Sequence, residues 1–519
     1  MPAVAGDFAS IHLSIERRDP LQAQLTNLLQ HYQNGRHGDV ETLGTSITRQ
    51  FPRSQLGWKV LGATLNQLGK FQQSLTPNQK AVELDPEDAE AHVILGSTLQ
   101  ELRRLKGAEK SYRKAIALKP DLAAAHYCLG TALQALGRLE DSEISYRRSI
   151  DLNPNFAEAH VNLGIVLRNL GRSDEGETSF RKAIGLAPHL AEAHFNLGIT
   201  FQEFGRLDDA EACFRKAIAL KPEYAEAHCG LGHVLSDLER LDDAKASYNN
   251  AVVAKPGYVD GLMGLARMAR SVPEACNWVE QCRAADENHE RARLISAALK
   301  FYEGDRADFD ALMRTDLRRS ALMRSFAWMF GLPKLPSLYF NRPAFFDAII
   351  TQSVDSRPFY EFGVWRGASF RYLIKAFREG YGFDTFTGLP EDWHVGNGKY
   401  EKAGSYSNDG NIPAIEGGTF VVGKFDDTLP IFFSQPRPVA SVINFDADLY
   451  SSTVCALNCA KSVIDSQTVL VFDEMIAHEC WEQDEFKALN DFCAENGLAY
   501  EVIAASFFTK QAAVKLVGL

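Results

Sequence analysis

Prolines stand at positions 52, 86, 120, 154, 188, 222 and 256, a spacing of 34 each time. With 20 prolines in 519 residues, six further hits in register have chance odds of about 10⁻⁸ or less, so the spacing marks an internal repeat. Glycines keep the same ruler at Gly62, Gly96, Gly130, Gly164, Gly198 and Gly232, each preceded by Leu. An aromatic follows it too: Tyr112, Tyr146, Phe180, Phe214 and Tyr248.

This pattern resembles a tetratricopeptide repeat (TPR) array. Trp58-x-x-Leu61-Gly62 matches the repeat opening, and Ala108-x-x-x-Tyr112 and Ala210-x-x-x-Phe214 match its later part. The physical reading is two antiparallel helices per repeat, brought close by Gly, wedged by the aromatic and ended by Pro. One such unit cannot bury its apolar face alone, so repeats stack into an α-solenoid. The expected organisation is an N-terminal segment at 1–20, the array at 21–258 with clear repeats from 55, and a degenerate repeat with a helical connector at 259–354. His92, His126, His160, His194 and His228 fall where Trp58 sits in its own repeat and are expected to pack between helices. Asn162 and Asn196 stand two residues before the repeat Gly. They resemble the asparagine ladders that hold peptide backbones in some TPR arrays, which implies a protein or peptide partner in the groove.

Charge is uneven along the chain. From Asp355 onward, 23 Asp/Glu face 13 Lys/Arg, while the whole chain carries −12. An acidic C-terminal domain argues against a nucleic-acid partner. Nine Cys without a C-x-x-C pair fit a reducing cytoplasm, and no apolar run reaches membrane-spanning length. The N-terminus lacks the basic-then-apolar pattern of a signal peptide. A cytoplasmic protein is expected.

After Pro358 strands alternate with helices, which indicates an α/β domain at 355–519 with a mostly parallel sheet. Expected strands are Phe359–Val364, Gly382–Phe386, Thr419–Val422, Val442–Phe445 and Thr468–Phe472, then a hairpin of Tyr500–Ala505 and Ala512–Val517. Ligands in such sheets sit outside the carboxyl ends of the strands. Asp446-Ala-Asp448 and Asp473-Glu474 each end an apolar run there. The turn Glu361-Phe-Gly363-Val-Trp365-Arg-Gly367 carries Trp365 where a dinucleotide fingerprint has its second Gly. Asp384 lies 21 residues beyond Gly363, the distance at which a strand-end acid reads a ribose. A ribose reader without a pyrophosphate cradle points to S-adenosylmethionine and away from NAD.

The segments EFGVWRGASF (361–370), GFDTFTGLPEDW (382–393), GKFDDTLP (423–430), INFDADLYSST (443–453) and VFDE (471–474) together resemble the macrocin O-methyltransferase-like class of S-adenosylmethionine-dependent enzymes. The resemblance implies a class I methyltransferase fold, Rossmann-like with seven strands. It implies a cofactor site built from Glu361, Gly363, Val364, Trp365, Gly367 and Ser369, then Asp384 and Phe386, then Lys424 and Phe425, with Asp446. In the metal-dependent members one acid follows the fourth strand and two follow the fifth, which implies Asp446, Asp473 and Glu474 as Mg²⁺ ligands. Glu474 departs from the usual Asp or Asn. Asp448 is a fourth ligand or a cap for the helix that starts near Ser451.

Methyl transfer to oxygen needs a positioned, partly deprotonated hydroxyl. A Mg²⁺ held by Asp446 and Asp473 would orient and acidify it, and His478, Glu479 and His394 are candidate bases on neighbouring loops. The long segment 388–418, with Trp393 and Tyr406, is expected to be a lid or acceptor-recognition loop. The leading expectation is an O-methyltransferase for a sugar, glycan or other small-molecule hydroxyl, with the repeats docking a partner or substrate. The second is an interaction scaffold whose C-terminal module is degenerate.

Overall fold

In a computed structural model the chain divides into two compact units, Met1–Gly230 and Leu231–Leu519. The residues described are 20–396 and 399–519. The N-terminal segment expected at 1–20 therefore falls, apart from Pro20, outside them.

Within the first unit, helix follows helix. A 13-residue helix Gln55–Gln67 and a 14-residue helix Phe71–Leu84 form one repeat, and the same pair recurs at Ala89–Glu101 and Leu105–Leu118. Each second helix stops two residues short of the periodic proline, as at Leu84 before Pro86. The periodic glycines are required by the periodic aromatics. A Cβ on Gly96 would lie 2.5 Å from Tyr112, and one on Gly164 would lie 2.6 Å from Phe180. Both rings are buried. The histidines do what Trp58 does. Trp58 Nε1 donates to the Pro52 carbonyl at 2.9 Å, while His92, His126 and His194 Nε2 lie 3.0, 3.0 and 3.1 Å from the carbonyls of Pro86, Pro120 and Pro188. Each ties its helix to the proline that ended the previous one. The two asparagines differ. Asn162 donates to the Tyr127 hydroxyl at 3.0 Å, whereas Asn196 is buried and bonds back to the Glu192 carbonyl at 2.9 Å.

The second unit carries a mixed sheet. Its strands are β1 Ser337–Leu338, β2 Phe359–Phe362, β3 Gly380–Asp384, β6 Gly418–Val422, β7 Val442–Phe445, β8 Val469–Phe472, β9 Ala499–Ala505 and β10 Ala512–Val517; β4 Trp393–Gly396 and β5 Lys399–Glu401 form a separate hairpin. The order is β1-β9-β10-β8-β7-β2-β3-β6. Pairs from β8 through β6 are parallel, as is β1 with β9, while β10 runs against both its neighbours. The sequence pattern anticipated the parallel block and the hairpin but not the two-residue edge strand β1.

Alternation along the strands assigns two faces. Phe383, Phe362, Phe445 and Phe472 stand in register on one face as a row of stacked rings, with centroids 4.9, 5.4 and 4.8 Å apart. This face shares a single core with helices Val259–Arg267, Val272–Ala285, Glu290–Tyr302 and Ala321–Phe330, through residues such as Leu262, Ile295, Phe326 and Phe507. The helices between the array and the sheet are thus part of the sheet's own core. The opposite face packs on helices Arg342–Thr351 and Ala368–Phe377 through Phe345, Phe346, Phe370 and Leu373.

Candidate active site

A cavity of about 270 Å³ opens at the carboxyl ends of the parallel strands, where an α/β sheet presents its ligand site. Its wall includes Gly363 and Trp365 after β2, Asp384 after β3, Lys424 and Phe425 after β6, Asp446 and Asp448 after β7, and Asp473 and Glu474 after β8. Arg342, from outside the motif set, joins them.

The turn after β2 is shaped by its neighbours. Gly363 has φ +89°, and a Cβ there would lie 1.8 Å from the Asp446 carbonyl oxygen. Its lack of a side chain lets β2 and β7 close up at their ends. Trp365 has φ +46°. Asp384 holds this turn: Oδ2 accepts from Val364 N at 2.8 Å and Trp365 N at 2.7 Å, and Oδ1 from Phe386 N at 2.6 Å. A carboxylate offers about four acceptor positions, so one is left for a ligand hydroxyl. Gly367 opens the next helix at φ +73°, under Pro413 and Ile415.

Not every expected cofactor residue reaches the cavity wall. Val364, Phe386 and Ser369 are buried, and Phe386 packs against Phe420. Glu361 lies within β2, 1 % exposed, next to Asn444 in register. Among the described residues its Oε2 and both side-chain polar atoms of Asn444 have no hydrogen-bond partner. Burial pushes the Glu361 carboxyl well above the ordinary range.

The acids divide into paired and unpaired. Asp473 accepts from Arg342 Nη2 at 2.8 and 2.9 Å and from Gln511 Nε2 at 2.6 Å. Glu474 Oε1 accepts from Lys510 Nζ at 2.8 Å. The hairpin supplies Lys510 and Gln511 for a topological reason: β10 runs against β8, so it begins where β8 ends. Asp446 and Asp448 face the cavity with no ion-pair partner among the described residues. Burial, then Asp473, raises the Asp446 carboxyl well above its ordinary range; burial, then Glu474 and Asp473, pushes Asp448 up to about 8. Asp448 does not cap the following helix, whose N-cap is Leu449 without a side-chain bond.

Mg²⁺ requires carboxylate oxygens free to face one ion in octahedral array. Asp473 and Glu474 instead face basic side chains, and no group of three or more His, Cys, Asp or Glu among the described residues is arranged to hold a metal ion. As arranged, Asp446, Asp473 and Glu474 do not fit Mg²⁺.

His478 does not line the cavity but stands just behind its wall, with Nδ1 3.9 Å from Glu474 Oε2. It is 9 % exposed, lies beside the Trp393 ring and has no hydrogen-bond partner at Nε2 among the described residues. Burial, then Lys510, lowers it to about 4. His394 lies 3.6 Å from Cys480 Sγ, and Glu479 is exposed beside Gly396. None of the three expected bases lines the cavity.

The segment 388–418 folds back on itself. Gly404 N donates to the Leu389 carbonyl and Leu389 N to the Ser405 carbonyl, both at 2.9 Å. It lends Gly388, Leu389, Pro390, Trp393 and Tyr406 to the wall, and Tyr406 meets Trp365 edge to face at 6.1 Å.

Comparison with known proteins places the array in its class. Residues 155–223, 195–259 and 123–156 match profiles described as "Tetratricopeptide repeat", and 101–137 one described as "TPR repeat". The N-terminal part of this chain is a TPR array. No curated protein matches the sequence. Among solved structures, the chain is similar to the APC/C hetero-tetramer Cut9-Hcn1 (17% identity, 54% of this chain and 55% of that one, TM-score 0.42), so it spans about half of that chain's length. It is also similar to a thermophilic TPR protein of Thermus thermophilus (26% identity, 35% and 99%, TM-score 0.32). A third is YrrB, a TPR protein described as having an unusual peptide-binding site (25% identity, 36% and 95%, TM-score 0.30). No helix among the described residues is long and apolar enough to cross a membrane.

Proposed function

We propose that the unit from Leu231 to Leu519 is an S-adenosylmethionine-dependent O-methyltransferase and that the TPR array docks a protein partner or delivers the acceptor. The observation that carries this reading is convergence. Residues from four strand ends (Gly363 and Trp365, Asp384, Lys424 and Phe425, Asp446) line one cavity. The parallel block, closed by a hairpin in the order β6-β3-β2-β7-β8-β10-β9, supports a class I methyltransferase fold.

The cavity fits the cofactor in two respects. Asp384 keeps one acceptor position for a ribose hydroxyl, and the buried Glu361 carboxyl lies on β2 just before the same turn. Lys424 and Phe425 would flank the adenine. When bound, the cofactor supplies an electrophilic methyl group on a sulfonium. Asp448 then takes the acceptor proton at a carboxylate oxygen. It faces the cavity with no ion-pair partner among the described residues, and at about 8 it lies near the pH where a base both accepts and releases protons. Leu389, Trp393 and Tyr406 keep water from the reacting oxygen. The acceptor is a hydroxyl compound, sugar or other small molecule.

Calorimetric titration of the full chain with S-adenosylmethionine tests this. Stoichiometric binding is expected, together with loss of turnover and retention of binding in Asp448→Asn. No binding would leave the second reading, a TPR scaffold with a non-catalytic module, which the repeat matches favour on their own.

A further inference from the structure

The acids expected to hold a metal face basic side chains instead, and this disagreement has a consistent geometry. Arg342 comes from the helix Arg342–Thr351, 131 residues before Asp473 in sequence. Its guanidinium grips both Asp473 oxygens through Nη2, and Nη1 lies 3.5 Å from Ser369 Oγ. The other acids whose charge bears on it are Asp446, Glu361 and Asp237. Lys510 occupies Glu474 at one oxygen, Oε1. Two monovalent cations thus meet the carboxylates that one divalent ion would otherwise meet, with the same total charge.

The position of Arg342 is built. Asn341 is buried and caps the helix by accepting from Ala344 N at 3.0 Å, while its Nδ2 donates to the Arg267 carbonyl at 3.2 Å, at the end of helix Val259–Arg267. Arg342 is therefore the first residue of its helix, where the dipole disfavours a cation. A local rule broken this way marks a residue placed for its surroundings.

We infer that Arg342, assisted by Lys510, takes the place of a divalent cation in this cavity, so that the site excludes Mg²⁺ and the reaction of the preceding section runs without metal. Arg342 is a positioning residue here: it fixes Asp473 and balances the acids at the strand ends. The part concerning methyl transfer rests on the methyltransferase reading; the exclusion of metal does not.

The test uses the full chain and Mn²⁺ as the probe, followed by the paramagnetic resonance of the free ion. The wild type should bind Mn²⁺ at this site at least tenfold more weakly than Arg342→Met, which keeps an unbranched stem but removes the guanidinium from Asp473. Mn²⁺ should also raise the melting temperature of Arg342→Met and of the double variant with Lys510→Met, but not that of the wild type. Stoichiometric micromolar binding by the wild type would overturn the inference, and so would variants that gain no affinity. Wild-type methylation should be unchanged in EDTA; a requirement for added metal would also overturn it. Absence of cofactor binding alongside the expected Mn²⁺ result would defeat the methyltransferase reading and leave the substitution of the cation standing.

Discussion

Replacing Asp384 separates its structural task from any task toward a ligand. Its carboxylate accepts three backbone N–H groups, from Val364, Trp365 and Phe386, at 2.6–2.8 Å. Hydrogen bonds to a charged group contribute roughly 1.5–3 kcal/mol each. Trp365 is exposed while Val364 and Phe386 are buried, so water replaces one of the three at little cost. Asp384→Ala should then lower the stability of the second unit by about 3 kcal/mol. Asp384→Asn should cost about half of that, since one carbonyl oxygen still serves Val364 and Trp365 together and only the Phe386 bond is lost.

Five of the six tryptophans lie beyond Leu231, so fluorescence during urea unfolding follows this unit and not the array. Two-state behaviour is not assumed for the whole chain; the comparison is of the tryptophan transition between variants. A change below about 0.5 kcal/mol in Asp384→Ala, the range of an ordinary surface substitution, would refute the claim that this carboxylate holds the turn. If Asp384→Asn keeps most of its stability yet loses cofactor affinity, the remaining acceptor position is the one a ribose uses.

Two other predictions rest on different parts of the molecule. The Asp448 carboxyl ionises near pH 4 when unfolded and at about 8 when folded, so the native state opposes ionisation and stability falls as pH rises through that window; Asp448→Asn should match the wild-type melting temperature near pH 4 and exceed it increasingly up to pH 8, and a constant difference across that range would refute the assignment. In the array, Gly164→Ala puts a Cβ 2.6 Å from the Phe180 ring and should cost about 1–3 kcal/mol by overpacking, while adding Phe180→Leu should recover part of it, with a coupling of about 1 kcal/mol or more by double-mutant cycle in chemical unfolding.

Much of this was legible in sequence because two periodicities are strict. The 34-residue ruler puts a Gly against an aromatic, as Gly96 against Tyr112, and a His against a Pro carbonyl, as His92 against Pro86, in five successive repeats, and a helix pair is the arrangement the structure shows for it. In the sheet, buried four-residue runs ending in acids mark parallel strands, and the rule that ligands gather at their carboxyl ends brings Asp384, Asp446 and Asp473 to one cavity. What failed was orientation within short motifs. Phe386 stands next to the cavity-lining Thr385 and Ser369 four residues after Trp365, yet their side chains turn into the core. His478 is drawn in beside Trp393 and Asp484 by contacts that no local spacing encodes.

The residues hardest to find were those that set the charge of the site. Lys510 and Gln511 sit in a hairpin turn that reads as ordinary surface, and only the reversal of β10 carries them to the end of β8. Arg342 lies in a stretch that reads as connector, yet the helices of that stretch share the sheet's core. One local signal was available: Asn341-Arg342-Pro343 is a capped helix start with a cation in its first turn. Removing that cation while Asp473 remains would leave a buried carboxylate with Gln511 as its remaining donor; because the Arg342 side chain is 38% exposed, the loss falls below the roughly 3–5 kcal/mol of a fully buried pair. The acid and the arginine must therefore be read as one element, and a chain carrying the strand-end acids can differ in metal requirement from another solely through a residue more than a hundred positions away.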